Sequence, residues 1–343
     1  MTLRTRIAVA AVALVSLGPF WVIAAEAPVV VGTATEIPGV VKGGSPIRRI
    51  LQGYKGLDDP IGLRDGTLVF SEPDARRLHR LNPRTNEVSI LVPDSNESHG
   101  TTEDSKGRLI SAQAWDGSTR IGVIFPKGSE AVLADKYNGM PFSRPNDLIV
   151  ARNGGIYFTD PGLTKQQADD LVKRNGGKPL GPRLPAAVYY IPPGQAPVKI
   201  EDKLIRPNGV QLSRDETKLY VDDSNGDRII EWDIKPNGLV ANRREFATLK
   251  GRSSRDNGLG GVPTFADGMA VDNDDRLYVA TGGGVEVFSP QGQPLGIIPV
   301  RCPPADCQNI AFSGPTRQTL YIGGAGSLYK VEMIARGLTT RAK

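Results

Sequence analysis

The chain is short of the residues that most enzyme chemistries need. Among 343 residues there are 2 His, 2 Cys and 3 Trp. Both histidines, His79 and His99, lie early, and no Gly-x-Ser-x-Gly stretch occurs, so nothing suggests a Ser-His-Asp hydrolase. The cysteines, Cys302 and Cys307, bound the loop CPPADC with no His nearby, which disfavours a zinc or iron–sulfur site. They either bridge, as an oxidising compartment would favour, or stay as two free thiols. The net charge is only +5, and no basic run is interleaved with aromatics. That argues against a nucleic-acid partner.

Long apolar runs are equally scarce. The one candidate spans residues 7–25, behind Arg4 and Arg6. It reads as a secretory signal peptide cleaved after Ala24, with an uncleaved N-terminal anchor as the alternative. Residues 1–24 are therefore set apart as signal and 25–50 as an N-terminal linker and closing segment. The expected location is periplasmic or extracellular, without membrane association after cleavage, as a monomer or weak dimer.

Glycine (40) and proline (27) are abundant, which favours turns over long helices. One pattern recurs six times: a turn of Asp, Asn or Gly, then a short apolar strand. Examples are RDGTLVFSE (Arg64–Glu72), SKGRLISAQ (Ser105–Gln113), NDDRLYVATGG (Asn273–Gly283) and TRQTLYIGG (Thr316–Gly324). The copies are spaced roughly 40 to 60 residues apart, as propeller blades are. Each is preceded by an apolar stretch and followed by a second strand, and often by a third. A four-stranded meander cannot bury both faces alone, but six stacked in a ring can. The sequence thus predicts an all-β, six-bladed β-propeller of four-stranded antiparallel blades over residues 51–335, with 336–343 as a C-terminal tail. The regular recurrence argues against a pair of β-sandwiches. Lys165 to Lys178 is the one plausible helix, within an insertion that either caps the ring or forms a plain surface loop. GRSSRDNGLGG (Gly251–Gly261) reads as a flexible rim segment.

Polar residues sit where the innermost strands should begin. RPNDLIV supplies Arg144, Asn146 and Asp147; RPNGVQL supplies Arg206 and Asn208; FADGMAV supplies Asp267. In a propeller these converge at one mouth of the channel. Amides and carboxylates without His or Cys form a hard oxygen donor set, suited to Ca²⁺ or Mg²⁺ before softer metals. Asn-Gly and Asp-Gly are also common turn dipeptides. Their recurrence at one phase of three repeats favours the site reading.

SRPNDLIVARNGGIYFTDP, RPNGVQLSRDETKLYVDDS and FADGMAVDNDDRLYVATGGGVEVFSPQGQPLGIIPV resemble signature blocks of the gluconolactonase, regucalcin (senescence marker protein) and luciferin-regenerating-enzyme family. The similarity runs from about Leu51 to Glu332. It implies a six-bladed propeller with one divalent cation at the channel mouth, Ca²⁺ first and Zn²⁺, Mn²⁺ or Mg²⁺ as alternatives, and hydrolysis of a lactone. It assigns Asn208 and Asp267 as metal ligands, with Asp267 doubling as general base. Asp147 is a second carboxylate that could take the proton. Arg144 and Asn146 would contact substrate, and Asn146 could also ligate the metal, directly or through water.

The sequence departs from the family pattern twice. Where members carry Glu-Gly-Pro, this chain has Asp58-Asp59-Pro60. Asp58 takes the ligand position with a reach shorter by about 1.3–1.5 Å, so it binds directly or through water, or Asp59 takes over. Ser98-His99-Gly100 replaces Ala-Asn-Gly, which makes His99 a substrate-contacting or acid/base group, or else a surface turn histidine. His79 falls in a second-strand slot and is expected to be structural. The competing functions are a non-catalytic sugar-acid or ligand-binding propeller and a phosphotriesterase-like hydrolase.

Overall fold

The computed structural model describes residues 27–115, 117–255 and 257–343. The proposed signal segment therefore lies outside the described residues. Six antiparallel sheets form the six-bladed ring that the repeats predict. Their innermost strands are, in order, Asp58–Gly62, Ser98–Glu103, Leu148–Val150, Pro207–Leu212, Met269–Val271 and Asn309–Ser313. Five blades are continuous four-stranded meanders, including the outer strands Val198–Glu201 and Pro294–Ile298.

Blade three shows why these sequences become blades. Leu148, Ile149 and Val150 pair with Phe158, Tyr157 and Ile156. Successive side chains point to opposite faces of a strand, so an unbroken apolar run must bury both. Phe158 stacks on Tyr189 at 5.1 Å and packs with Ile110 and Ile121 of blade two. Tyr157 stacks on Tyr190 at 4.5 Å and packs with Val210 and Leu219 of blade four. Each buried aromatic or aliphatic side chain contributes about 1.5–3 kcal/mol, and the core is a set of such layers between blades.

The ring closes by exchange between distant segments. Blade six takes Pro46–Leu51 as its fourth strand, paired with Ser327–Glu332, and Val29–Thr33 as a fifth. The stretch expected as linker and closing segment thus forms part of the last blade. Residues 336–343 are no free tail either. They run beneath the ring, with Arg341 and Lys343 only 5% and 7% exposed. The Arg341 guanidinium donates to the carbonyl oxygens of Ser213, at 3.0 Å, and Leu212.

The predicted helix is Lys165–Arg174, opened by a capping box between Thr164 and Gln167. Cys302 and Cys307 form a disulfide. No helix among the described residues is long and apolar enough to cross a membrane.

Candidate active site at the channel mouth

Local irregularity builds the site. Three inner strands break register at the same phase. Pairing shifts between Asp58 and Ile61, between Ser98 and Thr101, and between Pro207 and Val210. Such bulges re-aim side chains. They turn Asp58, His99 and Asn208 into one cavity of about 170 Å³, which Arg144, Asn146 and Asp267 also line.

The glycines that follow these residues are not turn glycines. Gly100, Gly209 and Gly268 are absent from the positive-φ positions. Each instead lies against the next inner strand. A Cβ on Gly100 would stand 2.5 Å from the Asn146 carbonyl oxygen; one on Gly209 would overlap the Asp267 carbonyl oxygen, and one on Gly268 the Asn309 side chain. The recurrent polar-residue-plus-glycine pair is thus a packing requirement where inner strands crowd the axis. Direct bonds tie neighbouring blades together here: Gly100 N–H donates to Asn146 O at 2.6 Å, and Thr159 Oγ1, on the second strand of blade three, to Asn208 O at 2.6 Å.

Asn208 is oriented by its neighbours. The Ser224 hydroxyl donates its single proton to Ala266 O at 2.7 Å, so its oxygen accepts from Asn208 Nδ2 at 3.0 Å. This leaves Asn208 Oδ1 buried with no donor. A buried carbonyl oxygen without a partner is costly. Asp267 lines the same cavity. Burial first, then the charges of Asp58, Asp222 and Asp147, push its carboxyl well above the ordinary range. An amide oxygen that lacks a donor and a crowd of like charges are both relieved by a hard cation. Among the described residues no three His, Cys, Asp or Glu side chains converge as a metal cluster. The donor set is mixed, with Asp58 and Asp267 as carboxylates and Asn208 and Asn146 as amides, and it fits a divalent ion bound by oxygen.

Asp58 lines the cavity. Its Oδ1 accepts from Asp59 N–H at 2.8 Å, and its Oδ2 lies 3.5 Å from His99 Nδ1. Asp59 turns the other way. At φ +41 its carboxylate points into the channel, accepting from Thr101 N–H and from Lys343 Nζ at 3.1 Å. Asp59, unlike Asp58, does not line the cavity.

His99 is only 8% exposed and lines the cavity. Arg144 Nη2 donates to His99 Nε2 at 2.7 Å. Arginine has no acceptor, so Nε2 carries the lone pair and the Nδ1 proton faces Asp58. His99 connects Arg144 to Asp58. Arg144 Nη1 also pairs with Glu97 Oε1 at 3.0 Å, and Arg174 from the helix pairs with Glu97 Oε2 at 3.0 Å. Burial would raise Glu97, but Arg144, Arg174 and His99 outweigh it and hold its carboxyl low. The inserted helix thus leans over the mouth, where Gln167 also reaches the cavity. Sequence reasoning missed Glu97, which sits in a polar turn-like stretch, SNES.

Asp147 does not line the cavity. It is 1% exposed and accepts from Leu148 N–H at 2.8 Å, from Val210 N–H at 2.9 Å and from Lys343 Nζ. It lies one layer beneath the site. Asp222 is there too, its Oδ1 accepting from Gly209 N–H at 3.0 Å, and burial raises it well above the usual carboxylate range. His79 is structural as expected, stacked on Phe70 and bonded to Glu72 at 2.7 Å.

Residues 61–326 match the family described as SMP-30/Gluconolactonase/LRE-like region. The chain belongs to this family. It is 31% identical to the gluconolactonase of Zymomonas mobilis, over 84% of this chain and 81% of that protein. Among solved structures, the gluconolactonase from Xanthomonas campestris is 28% identical with a TM-score of 0.72, over 92% of this chain and 99% of that one. The calcium-binding regucalcin of Agrobacterium tumefaciens shares the fold, with a TM-score of 0.65 over 83% of this chain and 92% of that one, at 16% identity. Family membership and the gluconolactonase relatives support lactone hydrolysis as the chemistry of this chain.

Proposed function

We propose that the protein is an exported lactonase that opens a sugar-type lactone at this cavity. The observation that carries the reading is the buried, donorless Asn208 oxygen beside Asp58 and Asp267 at an open channel mouth. Asp58, Asn208 and Asp267, with Asn146 alongside, would hold one divalent cation, Ca²⁺ first, whose charge draws electron density from the lactone carbonyl oxygen when it is bound.

Asp267 is the general base. Its carboxylate lines the cavity beside Asp58 and Asn208, where water and a lactone carbonyl would meet. Water attacks the carbonyl carbon as Asp267 takes its proton. The tetrahedral intermediate then collapses with cleavage of the ring C–O bond, and the departing alkoxide recovers that proton from Asp267. Asp147 is too deep to share this work. Arg144, held by Glu97, and Asn146 orient substrate hydroxyls, and His99 fixes Arg144 against Asp58. Export to an oxidising compartment fits the Cys302–Cys307 disulfide.

The test is hydrolysis of glucono-1,5-lactone, followed by acid release, before and after chelation, with Asp267→Asn alongside. Activity should vanish on chelation and return with added Ca²⁺. Asp267→Asn should lower kcat by roughly 10²–10⁴-fold. Full activity after chelation would overturn the mechanism. Binding of a sugar acid with no turnover of any lactone would favour the ligand-binding alternative.

A further inference from the structure

One wall of the cavity carries positive charge that ester hydrolysis does not use. Arg206 precedes the inner strand of blade four. Its backbone is fixed at both ends, its N–H donating to Asp223 Oδ1 at 2.9 Å and its carbonyl accepting from Ser224 N–H at 3.0 Å. The guanidinium lines the cavity, and its buried Nη1 has no acceptor. Both Asp223 oxygens are already engaged by the backbone N–H groups of Ile205 and Arg206.

Arg144 spends its charge on Glu97. Among the described residues Arg255 has no carboxylate as close. Its guanidinium lies 4.7 Å from the centre of the Phe265 ring, and the Asp306 carboxylate, 4.0 Å away, is bonded to Ser253. Phe265 itself is held at φ +47, which a bulky residue rarely adopts. Its N–H donates to Ser224 O at 2.9 Å. The fold thus sustains strain that sets an aromatic platform under Arg255 at the cavity wall. A buried guanidinium without an acceptor and a second one loosely balanced beside it call for an anion.

We propose that the lactone taken by this site carries a negatively charged group, a carboxylate or a phosphate, distal to the ester, and that Arg206 and Arg255 receive it. This rests on the lactonase reading and names its substrate class. Neutral sugar lactones would enter the same cavity but leave Arg206 unpaired.

The experiment compares kcat/KM for glucono-1,5-lactone, its 6-phosphate and glucaro-1,4-lactone, in the wild type and in Arg206→Gln and Arg255→Gln. The anionic lactones should be preferred, and Arg206→Gln should shrink that preference roughly ten- to a hundredfold, the worth of one charge-assisted contact. The phosphate and carboxylate arms show which anion fits. Calorimetric titration with 6-phosphogluconate, glucarate and gluconate gives a readout independent of turnover. If no lactone is hydrolysed yet 6-phosphogluconate or glucarate binds more tightly than gluconate through Arg206, the lactonase reading falls and the anion site stands. Equal kcat/KM and equal affinity regardless of the distal charge would overturn the proposal.

Discussion

Replacing Lys343 with methionine should destabilise the ring from its axis. The Lys343 ammonium is fully buried between Asp59, 3.1 Å away, and Asp147. Its removal leaves two carboxylates without their cation, which costs about 3–5 kcal/mol for a buried pair broken on one side. At roughly 1.5–2 °C per kcal/mol for a chain of this size, the midpoint should fall by about 5–10 °C. The loss should depend on pH, with a sign that follows from Asp59. Burial raises Asp59 to about 8, above the ordinary 3.8, even with Lys343 opposing. A carboxyl raised in the folded state favours folding in acid and loses that contribution as pH climbs through its folded value. Without Lys343 both carboxyls rise further, so the deficit should be small at pH 5 and large at pH 9. Differential scanning calorimetry at both values is the assay. Adding Asp59→Asn and Asp147→Asn to the variant should restore at least half of the lost stability at pH 9. A pH-independent loss, or none at pH 9, would refute the reasoning.

Two further outcomes follow from the site. Gly209→Ala should lower stability by about 2 kcal/mol or more, since its methyl group would overlap the Asp267 carbonyl oxygen and overpacking of that kind is costly; chemical denaturation measures it. Ser224→Ala removes the acceptor that orients the Asn208 amide, so the Ca²⁺ concentration for half-maximal lactone hydrolysis should rise roughly tenfold, with folding midpoint little changed; an unchanged Ca²⁺ requirement would separate Ser224 from the site.

The repeats made the ring legible because every blade obeys the same local rule, a turn followed by an apolar strand buried on both faces. The mouth residues were legible for a related reason. Asn208 and Asp267 recur at one phase, and phase is what a ring converts into proximity. Asp147 was expected among the mouth residues but does not line the cavity, although the signal was present. Side chains alternate along extended backbone, so if Asn146 faces the cavity, Asp147 must face the interior, as Asp59 does beside Asp58. Lys343 was not legible. Its position depends on how residues 336–343 thread under the ring, and no periodicity records that path. Glu97 was hidden because its value lies in Arg144 and Arg174, far away in sequence. Arg206 was noticed as part of a matched motif, but its missing acceptor shows only in three dimensions.

The closure of blade six has a temporal consequence. Pro46–Leu51 leaves the ribosome long before Ser327–Glu332, yet the two must pair to complete the last sheet. Until then blades one and six cannot meet, and Asp58 has no fixed distance to Asn208 or Asp267. The cavity that these residues line is therefore the last thing the chain acquires. A nascent or translocating molecule can hold several finished blades and still be inert, so onset of lactone hydrolysis would time the moment the circle shuts.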